Sequence, residues 1–303
     1  MSTFQDYVDT FDNESGYLNW AAFGPLSPSV REEVFADADL LGNGRPSSLS
    51  LVWERVGQAQ EVVAELLGGD ADDVTLQPSS THGLMHALYG LSGAVIASTA
   101  EFPSVSLTLE RASTASDRAL TPRWITPDDG RVTPDAVAEA LDDEVTALAV
   151  SHVDFRTGYR VDLAALREAI GPDRLLIVDA VQSFGVIDVD YSAADVVVGH
   201  GYKWLRAGRG SAFAWFSPRA RERISPCSPG SPGPRPPACS WTSSPRPRHR
   251  PGRTRSAART PSRRVASRSG CATCATPASP RSRSASPSTS TPCSRSPTAT
   301  ASR

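Results

Sequence analysis

The fold is indicated most clearly by Leu175-Leu176-Ile177-Val178-Asp179-Ala180-Val181-Gln182-Ser183. Its first four residues form an unbroken apolar run of strand length, which is typical of a strand buried on both faces of a parallel sheet. A carboxylate follows the run directly. Parallel sheets bind ligands at the carboxyl ends of their strands, so the pattern predicts that Asp179 faces a ligand. A solvated acidic residue is the commoner meaning of this pattern when it stands alone.

The rest of the first 224 residues alternates between helical and strand-like patterns. Apolar spacing predicts helices over 49–68, 133–142 and 162–170, and runs rich in Val, Ile, Leu and Ala predict strands over 93–98, 145–153, 175–180 and 195–198. Helices that alternate with buried strands predict an α/β fold. We expect an open, mostly parallel sheet covered by helices on both faces.

Lys203 is the only lysine among 303 residues, whereas thirty arginines carry the remaining positive charges. It lies in Gly199–Leu205, directly after the strand-like run Ala194–Val198. An amine that loses its proton condenses with a carbonyl group, and a guanidinium does not, so arginine cannot replace lysine in this role. Lys203 is therefore predicted to form a Schiff base. The alternative is an ordinary surface cation in a chain whose GC-rich gene favours arginine codons.

Asp179 and Lys203 together indicate a cofactor. The lysine follows the carboxylate by two dozen residues, after the next predicted strand. Pyridoxal phosphate requires such a pair, because a carboxylate keeps the ring nitrogen protonated while a lysine amine holds the aldehyde carbon. The pair is more specific than either residue alone and predicts pyridoxal 5'-phosphate as the cofactor.

The two segments that carry this pair resemble a known signature. Asp179-Ala180-Val181-Gln182 followed by His200-Gly201-Tyr202-Lys203-Trp204-Leu205 looks like that of the class V aminotransferases. This fold-type I branch also holds cysteine desulfurases, kynureninases and isopenicillin N epimerase-like proteins. The resemblance runs from about Tyr17 to about Ile224. It implies that Asp179 binds the ring nitrogen, that Gln182 lies near the phenolic oxygen, and that Lys203 forms the covalent link.

A phosphate site is predicted at Gln77–Leu88, where hydroxyl residues precede an apolar-periodic stretch. Such residues cap a helix, and the free amides of a helix N-terminus bind anions. An isolated cap of this kind usually has no ligand. The resemblance selects Ser80 and Thr81 as phosphate ligands, and it implies that His200 and Tyr202 also reach the phosphate.

Two further segments match the family in part. Ala100–Ser104 resembles a Glu-Phe-Pro segment whose aromatic ring stacks on the cofactor, which makes Phe102 the predicted stacking residue, although core packing is the commoner role of such a ring. Ser151–Gly158 matches a turn in which relatives commonly place Asn near the phenolic oxygen. This chain has Asp154 and Phe155 there instead.

The resemblance also implies a domain organisation. Residues 1–25 are expected to form an N-terminal arm, in which Tyr17–Pro25 resembles a strand that passes the substrate pocket before a helix begins at Ser27-Pro28-Ser29. Residues 26–224 are expected to form an incomplete large domain that binds pyridoxal phosphate. In relatives, the portion that follows completes this domain, builds a small domain and supplies the arginine that binds the substrate carboxylate.

Residues 225–303 differ sharply in composition. They contain 14 Arg, 15 Pro and 19 Ser but no Asp or Glu, so residues 1–224 carry a net charge of −16 and the tail carries +14. This composition cannot bury a core and predicts disorder. We interpret the tail as a frameshift product that replaces the native sequence from about residues 224–235. The alternative is a genuine basic tail that binds nucleic acid or an acidic partner.

Metal and disulfide chemistry are not indicated. His82 and His86 lie one helical turn apart without a third ligand, a pattern that is usually structural. The motif Cys271-Ala272-Thr273-Cys274 is a lone CxxC without a second pair, and we interpret it as accidental. All cysteines fall in the tail: Cys227, Cys239, Cys271, Cys274 and Cys293.

The expected function is that of a pyridoxal-phosphate enzyme that transaminates a small amino acid or eliminates a group from it through a Lys203 Schiff base. The loss of the C-terminal portion is expected to impair this activity in this chain. A lyase or epimerase of the kynureninase or desulfurase kind is the alternative, although a desulfurase needs a nucleophilic cysteine and residues 1–224 contain none. A non-catalytic truncated product with a basic tail is the third possibility. The resemblance implies a homodimer in the intact family form. Because no signal peptide or membrane-spanning run is present, we expect a cytoplasmic protein without a membrane partner. We also expect no nucleic-acid partner.

Overall fold

The computed structural model describes residues 3–11, 14–115, 119–127 and 129–226. The predicted tail lies outside the described residues apart from Ser225 and Pro226, and so do all five cysteines. The described residues belong to one structural unit. Its helices are α1 Phe4–Val8, α2 Pro28–Gly42, α3 Pro46–Leu67, α4 Ser80–Leu88, α5 Pro103–Ala115, α6 Pro134–Glu139, α7 Leu163–Ile170 and α8 Pro218–Arg223.

One seven-stranded sheet organises the described residues, in the order β1-β7-β6-β5-β4-β2-β3. β7 is antiparallel to both of its neighbours, and the remaining neighbouring pairs are parallel. This confirms the predicted open, mostly parallel sheet. The strands are β1 Val74–Gln77, β2 Gly93–Ser98, β3 Leu120–Ile125, β4 Val145–Ser151, β5 Leu175–Asp179, β6 Val196–His200 and β7 Ala212–Phe216.

Both faces of the sheet are covered, as predicted. Leu176 and Val178 of β5 pack into a core with α3, α6 and α7. Leu175 and Ile177 point to the opposite face and pack with α4, α5 and α8. All five residues of β5 are buried because alternate side chains of a strand point to opposite faces and each face carries helices.

The strands that sequence patterns do not reveal are β1, β3 and β7. β1 has four residues, two of them polar, and β3 contains Pro122, which lacks an amide proton to donate. Both are edge strands of the sheet, where such residues are tolerated. β7 is fully buried and antiparallel, and it follows an arginine- and glycine-rich loop rather than a helix.

The expected strand at Tyr17–Pro25 is wrong. This segment forms a turn in which the amides of Ala22 and Phe23 both donate to the carbonyl of Asn19, at 3.1 Å each. Turn hydrogen bonds of this kind take the place of pairing with a neighbouring strand. A helix does begin after Ser27, whose hydroxyl caps α2 by accepting from the Val30 amide.

Helices α2 and α3 carry large apolar side chains that face solvent. No residue of α2 is buried, and Phe35 is 73% exposed. Trp53 of α3 is 71% exposed. Exposed apolar surface of this size commonly marks an interaction face. Among the described residues, no helix is long and apolar enough to cross a membrane.

Candidate active site

The site lies at one edge of the sheet, where the strand register gathers separate segments. Gln77 at the end of β1 pairs with Ala212 at the start of β7, and Ala212 pairs in turn with His200 at the end of β6. Asp179 at the end of β5 pairs with Ser151 at the end of β4. Loops that follow β1, β4, β5 and β6 therefore meet the loop that precedes β7.

All eight residues predicted to serve the cofactor line one cavity at this edge: Ser80, Thr81, Phe102, Asp179, Gln182, His200, Tyr202 and Lys203. They come from segments up to 123 residues apart in the chain. The cavity is also lined by side chains to which the sequence assigns no role: Ser79, Ser104, Ser151, Val153, Phe155, Val181 and Arg209.

Asp179 is a buried acid, with 6% of its surface exposed. Burial raises the pKa of its carboxyl group to about 6, because a charged carboxylate loses its hydration there. The amide of Val181, which donates to Oδ1 at 3.0 Å, and the charge of Lys203 act in the opposite direction. A carboxylate with few protein partners in a cavity is suited to a cationic ligand group.

Lys203 is also buried, with 5% exposed. Burial lowers the pKa of its amine, and the nearby charge of Asp179 partly offsets this. A lower pKa raises the fraction of neutral amine, which is the nucleophilic form. Its Nζ lies 5.5 Å from the centre of the Phe102 ring and 5.4 Å from that of Tyr202. The amine therefore lies near two aromatic rings at the cavity.

The N-terminus of α4 forms the opposite part of the cavity. Ser79 caps the helix, and its hydroxyl accepts from the His82 amide at 3.4 Å. Ser80 is buried at the first helical position, and Thr81 Oγ1 lies 2.9 Å from Ser104 Oγ. The amides and hydroxyls of this turn suit an anion.

His200 supplies independent support for a ligand here. Its Nε2 atom is buried and makes no hydrogen bond within the described residues. Burial, followed by the charges of Arg209 and Lys203, lowers the pKa of its ring to about 4, so the ring is neutral at pH 7. A buried polar atom without a partner is costly unless a ligand pairs with it. The cavity therefore fits a group with an anion at one end and a cationic nitrogen at the other.

The segment in which relatives place Asn has a different arrangement here. Asp154 turns back on its own loop, where its Oδ1 accepts from the amides of Arg156 at 2.9 Å and Thr157 at 2.8 Å. Phe155 lines the cavity instead and packs edge-on against Phe102, with ring centres 5.0 Å apart. This pair gives the cavity an aromatic wall.

The N-terminal arm packs against the segment that carries Lys203. The amide of Gly24 donates to the Tyr202 carbonyl at 2.9 Å, and the rings of Trp20 and Trp204 stack with centres 6.3 Å apart. A Cβ atom on Gly24 would lie 1.8 Å from the Lys203 carbonyl oxygen, so only glycine permits this approach. The arm is thus packed directly on the backbone that carries the lysine.

Gln182 connects the arm to the cavity. Its Nε2 donates to the carbonyl of Ala21 at 2.9 Å, and its Oε1 accepts from Trp204 Nε1 at 2.9 Å. The side chain lines the cavity, as predicted, but both ends of its amide already have protein partners. One N–H of Nε2 and one lone pair of Oε1 remain to bind a ligand.

Glu101 is an acid beside the cavity, and the sequence patterns assign it no role. Its carboxylate accepts from the Ser151 amide at 3.0 Å and from the Ser151 hydroxyl. Burial raises the pKa of Glu101 to about 7, and the charges of Asp179 and Asp154 add to the effect. Its position beside Phe102 in the Glu-Phe-Pro segment is the signal that points to it.

A lysine and a buried carboxylate at the carboxyl edge of a parallel sheet, facing a helix N-terminus, define the class of fold-type I pyridoxal-phosphate proteins. The model of the aminotransferase class-V family matches residues 41–248, which is more than half of the chain. The chain belongs to this family. The predictions of the family, of the fold and of pyridoxal phosphate as the family's cofactor are confirmed.

Curated relatives are cysteine desulfurases. The chain is 29% identical over 189 residues to cysteine desulfurase IscS of Ectopseudomonas mendocina (strain ymp), which covers 57% of this chain and 46% of the relative. It is 28% identical over 223 residues to IscS of Aeromonas salmonicida (strain A449), covering 68% of this chain and 54% of the relative. The chain therefore spans about half the length of the curated relatives it matches.

Solved structures share the fold at low sequence identity. A mutant of C-DES with glycine covalently linked to its PLP cofactor superimposes with a TM-score of 0.65 at 18% identity, covering 75% of this chain and 62% of that one. An apo cysteine desulfurase from Thermococcus onnurineus NA1 gives 0.60 at 18% identity, covering 70% and 56%. Another C-DES structure is described as a cystine C–S lyase in complex with its product, cysteine persulfide.

Proposed function

We propose that this protein binds pyridoxal phosphate through Lys203 and acts on an amino acid. The single observation that carries the proposal is the shared cavity of the eight predicted residues, in which Lys203 and Asp179 are both buried. Each end of the cavity suits one end of the cofactor. Asp179 would hold the ring nitrogen, and the α4 N-terminus with His200 would hold the phosphate.

When bound, pyridoxal phosphate supplies an electron-withdrawing ring that stabilises negative charge at the α carbon of an amino acid. The amine of Lys203 would hold the aldehyde carbon of the cofactor and could carry the α proton of the substrate. The negative charge of Asp179 would hold a proton on the ring nitrogen. Phe102 and Phe155 exclude water from the same space.

We propose elimination with cleavage of a carbon–sulfur bond as the reaction. The α proton leaves, the bond between Cβ and sulfur breaks, and sulfur departs with the electron pair as a thiol or persulfide. The remaining aminoacrylate adds water and yields pyruvate and ammonia. The names of the relatives support a sulfur-containing amino acid as substrate. Residues 1–226 contain no cysteine, which favours release of the sulfur product over its transfer to a thiol of this segment.

Transamination of a small amino acid is the second candidate, and the family to which the chain belongs favours it. The two reactions differ in where nitrogen goes. Elimination releases ammonia and needs no second substrate, whereas transamination passes the amino group to a keto acid and releases none. This difference separates the candidates without knowledge of the natural substrate.

The deciding experiment incubates the pyridoxal-phosphate-loaded protein with L-cystine or L-cysteine alone, and with L-alanine plus 2-oxoglutarate. Pyruvate, ammonia and sulfide or persulfide are measured, together with glutamate. We expect the wild-type protein to form equal amounts of pyruvate and ammonia from L-cystine. The Lys203→Ala variant should form neither product. Glutamate without ammonia would establish transamination instead. Absence of any bound cofactor in the loaded protein would refute the proposal as a whole.

We also propose that the protein is a homodimer. The exposed apolar side chains of α2 and α3, such as Phe35 and Trp53, support an interaction face. Sedimentation velocity checks this, since Trp53→Ser should shift the dimer toward monomer. A wild-type monomer at all concentrations would contradict the proposal.

A further inference from the structure

The loop between Lys203 and β7 carries a cation that no predicted role explains. Arg209 lines the cavity and makes no hydrogen bond or ion pair with the described residues. Glycines with left-handed backbone conformations flank it, Gly208 at φ +80° and Gly210 at φ +86°. These conformations favour glycine and fix the course of the loop beside the cavity.

The strand register determines which end of the cavity this loop approaches. Arg209 lies three residues before Ala212, which pairs with Gln77 on one side and with His200 on the other. The loop that carries Arg209 therefore lies between the turn that begins α4 and the end of β6. Asp179 lies on β5, two strands from β7 or about 10 Å at the usual strand spacing.

Local contacts agree with this placement. The guanidinium carbon of Arg209 lies 5.1 Å from the centre of the Tyr202 ring. The charge of Arg209 also contributes to the lowered pKa of His200. For Asp179, by contrast, the cation that acts on the carboxyl group is Lys203. Arg209 therefore belongs to the His200 and Tyr202 end of the cavity.

We propose that Arg209 binds the phosphate group of the cofactor. This inference rests on the proposed function and adds to it a residue that sets phosphate affinity. Arginine presents planar, paired donors that match phosphate oxygens. The buried Nε2 of His200 without a partner and the free amides at the start of α4 lie at the same end. A dianion there would meet a full positive charge in addition to neutral donors.

The carboxylate of an amino-acid substrate is the other anion that could pair with Arg209. The register favours the phosphate, because the loop leaves the sheet between α4 and His200 rather than beside Asp179. The experiment must separate these two anions. Pyridoxal and pyridoxal phosphate do so, since they differ only in the phosphate group.

The test measures dissociation constants of pyridoxal phosphate and pyridoxal for the full-length apo-protein by absorbance titration. Variants are Arg209→Ala, Arg209→Lys and, as a control, Arg45→Ala, which removes an exposed arginine outside the cavity. We expect Arg209→Ala to weaken pyridoxal phosphate about ten- to a hundredfold, the usual worth of a hydrogen bond to a charged group. The affinity for pyridoxal should not change. The affinity of Arg209→Lys for pyridoxal phosphate should lie between those of the wild-type protein and Arg209→Ala.

Two outcomes would overturn the inference. One is unchanged pyridoxal phosphate affinity in Arg209→Ala, and the other is an equal loss of affinity for both compounds. If cofactor affinity is unchanged while amino acids bind Arg209→Ala more weakly, Arg209 is assigned to the substrate carboxylate instead. Failure of the proposed function looks different, because the wild-type protein would then bind neither compound through Lys203.

Discussion

The Nζ atom of Lys203 lies 5.5 Å from the centre of the Phe102 ring. The amine belongs to the segment after β6, and the ring belongs to the loop after β2, 101 residues earlier. Phe155 packs edge-on against the same ring. The ring therefore lies beside the amine, and Phe102 stays the predicted stacking residue.

Phe102→Ala should weaken the binding of pyridoxal phosphate about three- to tenfold, the range expected for loss of one aromatic contact. Phe4→Ala is the matched control, since Phe4 is 83% exposed and does not line the cavity. Absorbance titration measures both. Equal affinities in the wild-type protein and Phe102→Ala would assign Phe102 to core packing alone.

Lys203→Ala should abolish the covalent link between the protein and pyridoxal phosphate, because the chain has no second lysine. Lys203→Arg should behave in the same way, since it keeps the charge but loses the amine chemistry. Borohydride reduction followed by mass spectrometry detects the link as a pyridoxyl group on a peptide. A pyridoxyl group elsewhere in Lys203→Ala would show that the central assignment is wrong.

Asp179→Asn should keep the covalent link but lower turnover about ten- to a hundredfold, because an amide offers no charge to hold the ring nitrogen protonated. The pH dependence gives a second readout. Burial raises the pKa of Asp179 to about 6 in the free protein, so cofactor affinity should fall as the pH drops through about 6. Asp179→Asn should lack this step. Wild-type turnover in Asp179→Asn would show that Asp179 does not hold the ring nitrogen.

Glu101→Gln should change the pH dependence of stability. Burial raises the pKa of Glu101 from 4.5 to about 7, so folding favours its protonated form. The stability this group contributes is therefore full below about pH 4.5 and is lost as the pH rises through about 7. Gln resembles the protonated acid and should not show this loss.

Thermal unfolding of the apo-protein between pH 4 and 8 measures the effect of Glu101→Gln. The wild-type protein should lose stability relative to the variant as the pH rises, while the contributions of Asp154 and Asp179 are common to both. Stability curves that stay parallel over this range would mean that Glu101 titrates normally.

Gly24→Ala should displace the N-terminal arm, because the added Cβ would lie 1.8 Å from the Lys203 carbonyl oxygen. We expect a loss of about 1–3 kcal/mol in unfolding free energy, as for other overpacked sites, together with weaker cofactor binding. Gly42→Ala is the control, since a Cβ there meets no atom within 4 Å. Chemical denaturation compares the unfolding free energies of the two variants. Equal values would show that the arm accommodates the added methyl group without loss of stability.

The sequence alone predicted the fold class and the cofactor of the family. Unbroken apolar runs predict buried parallel strands because both faces of such strands meet helices, and the structure bears this out for β2, β4, β5 and β6. A single lysine in a chain rich in arginine points to amine chemistry because only an amine forms a Schiff base. These inferences depend on residue type and local pattern, which a sequence states directly.

The tertiary structure decided which other residues share the site. Glu101 and Ser151 are 50 residues apart and meet only because their loops leave neighbouring parallel strands at one edge. Arg209 approaches His200 because β7 is inserted between β1 and β6. The shifted pKa values of Asp179, Glu101 and Lys203 likewise require burial. Strand order and burial are properties of contacts between distant segments, so no local pattern in the chain encodes them.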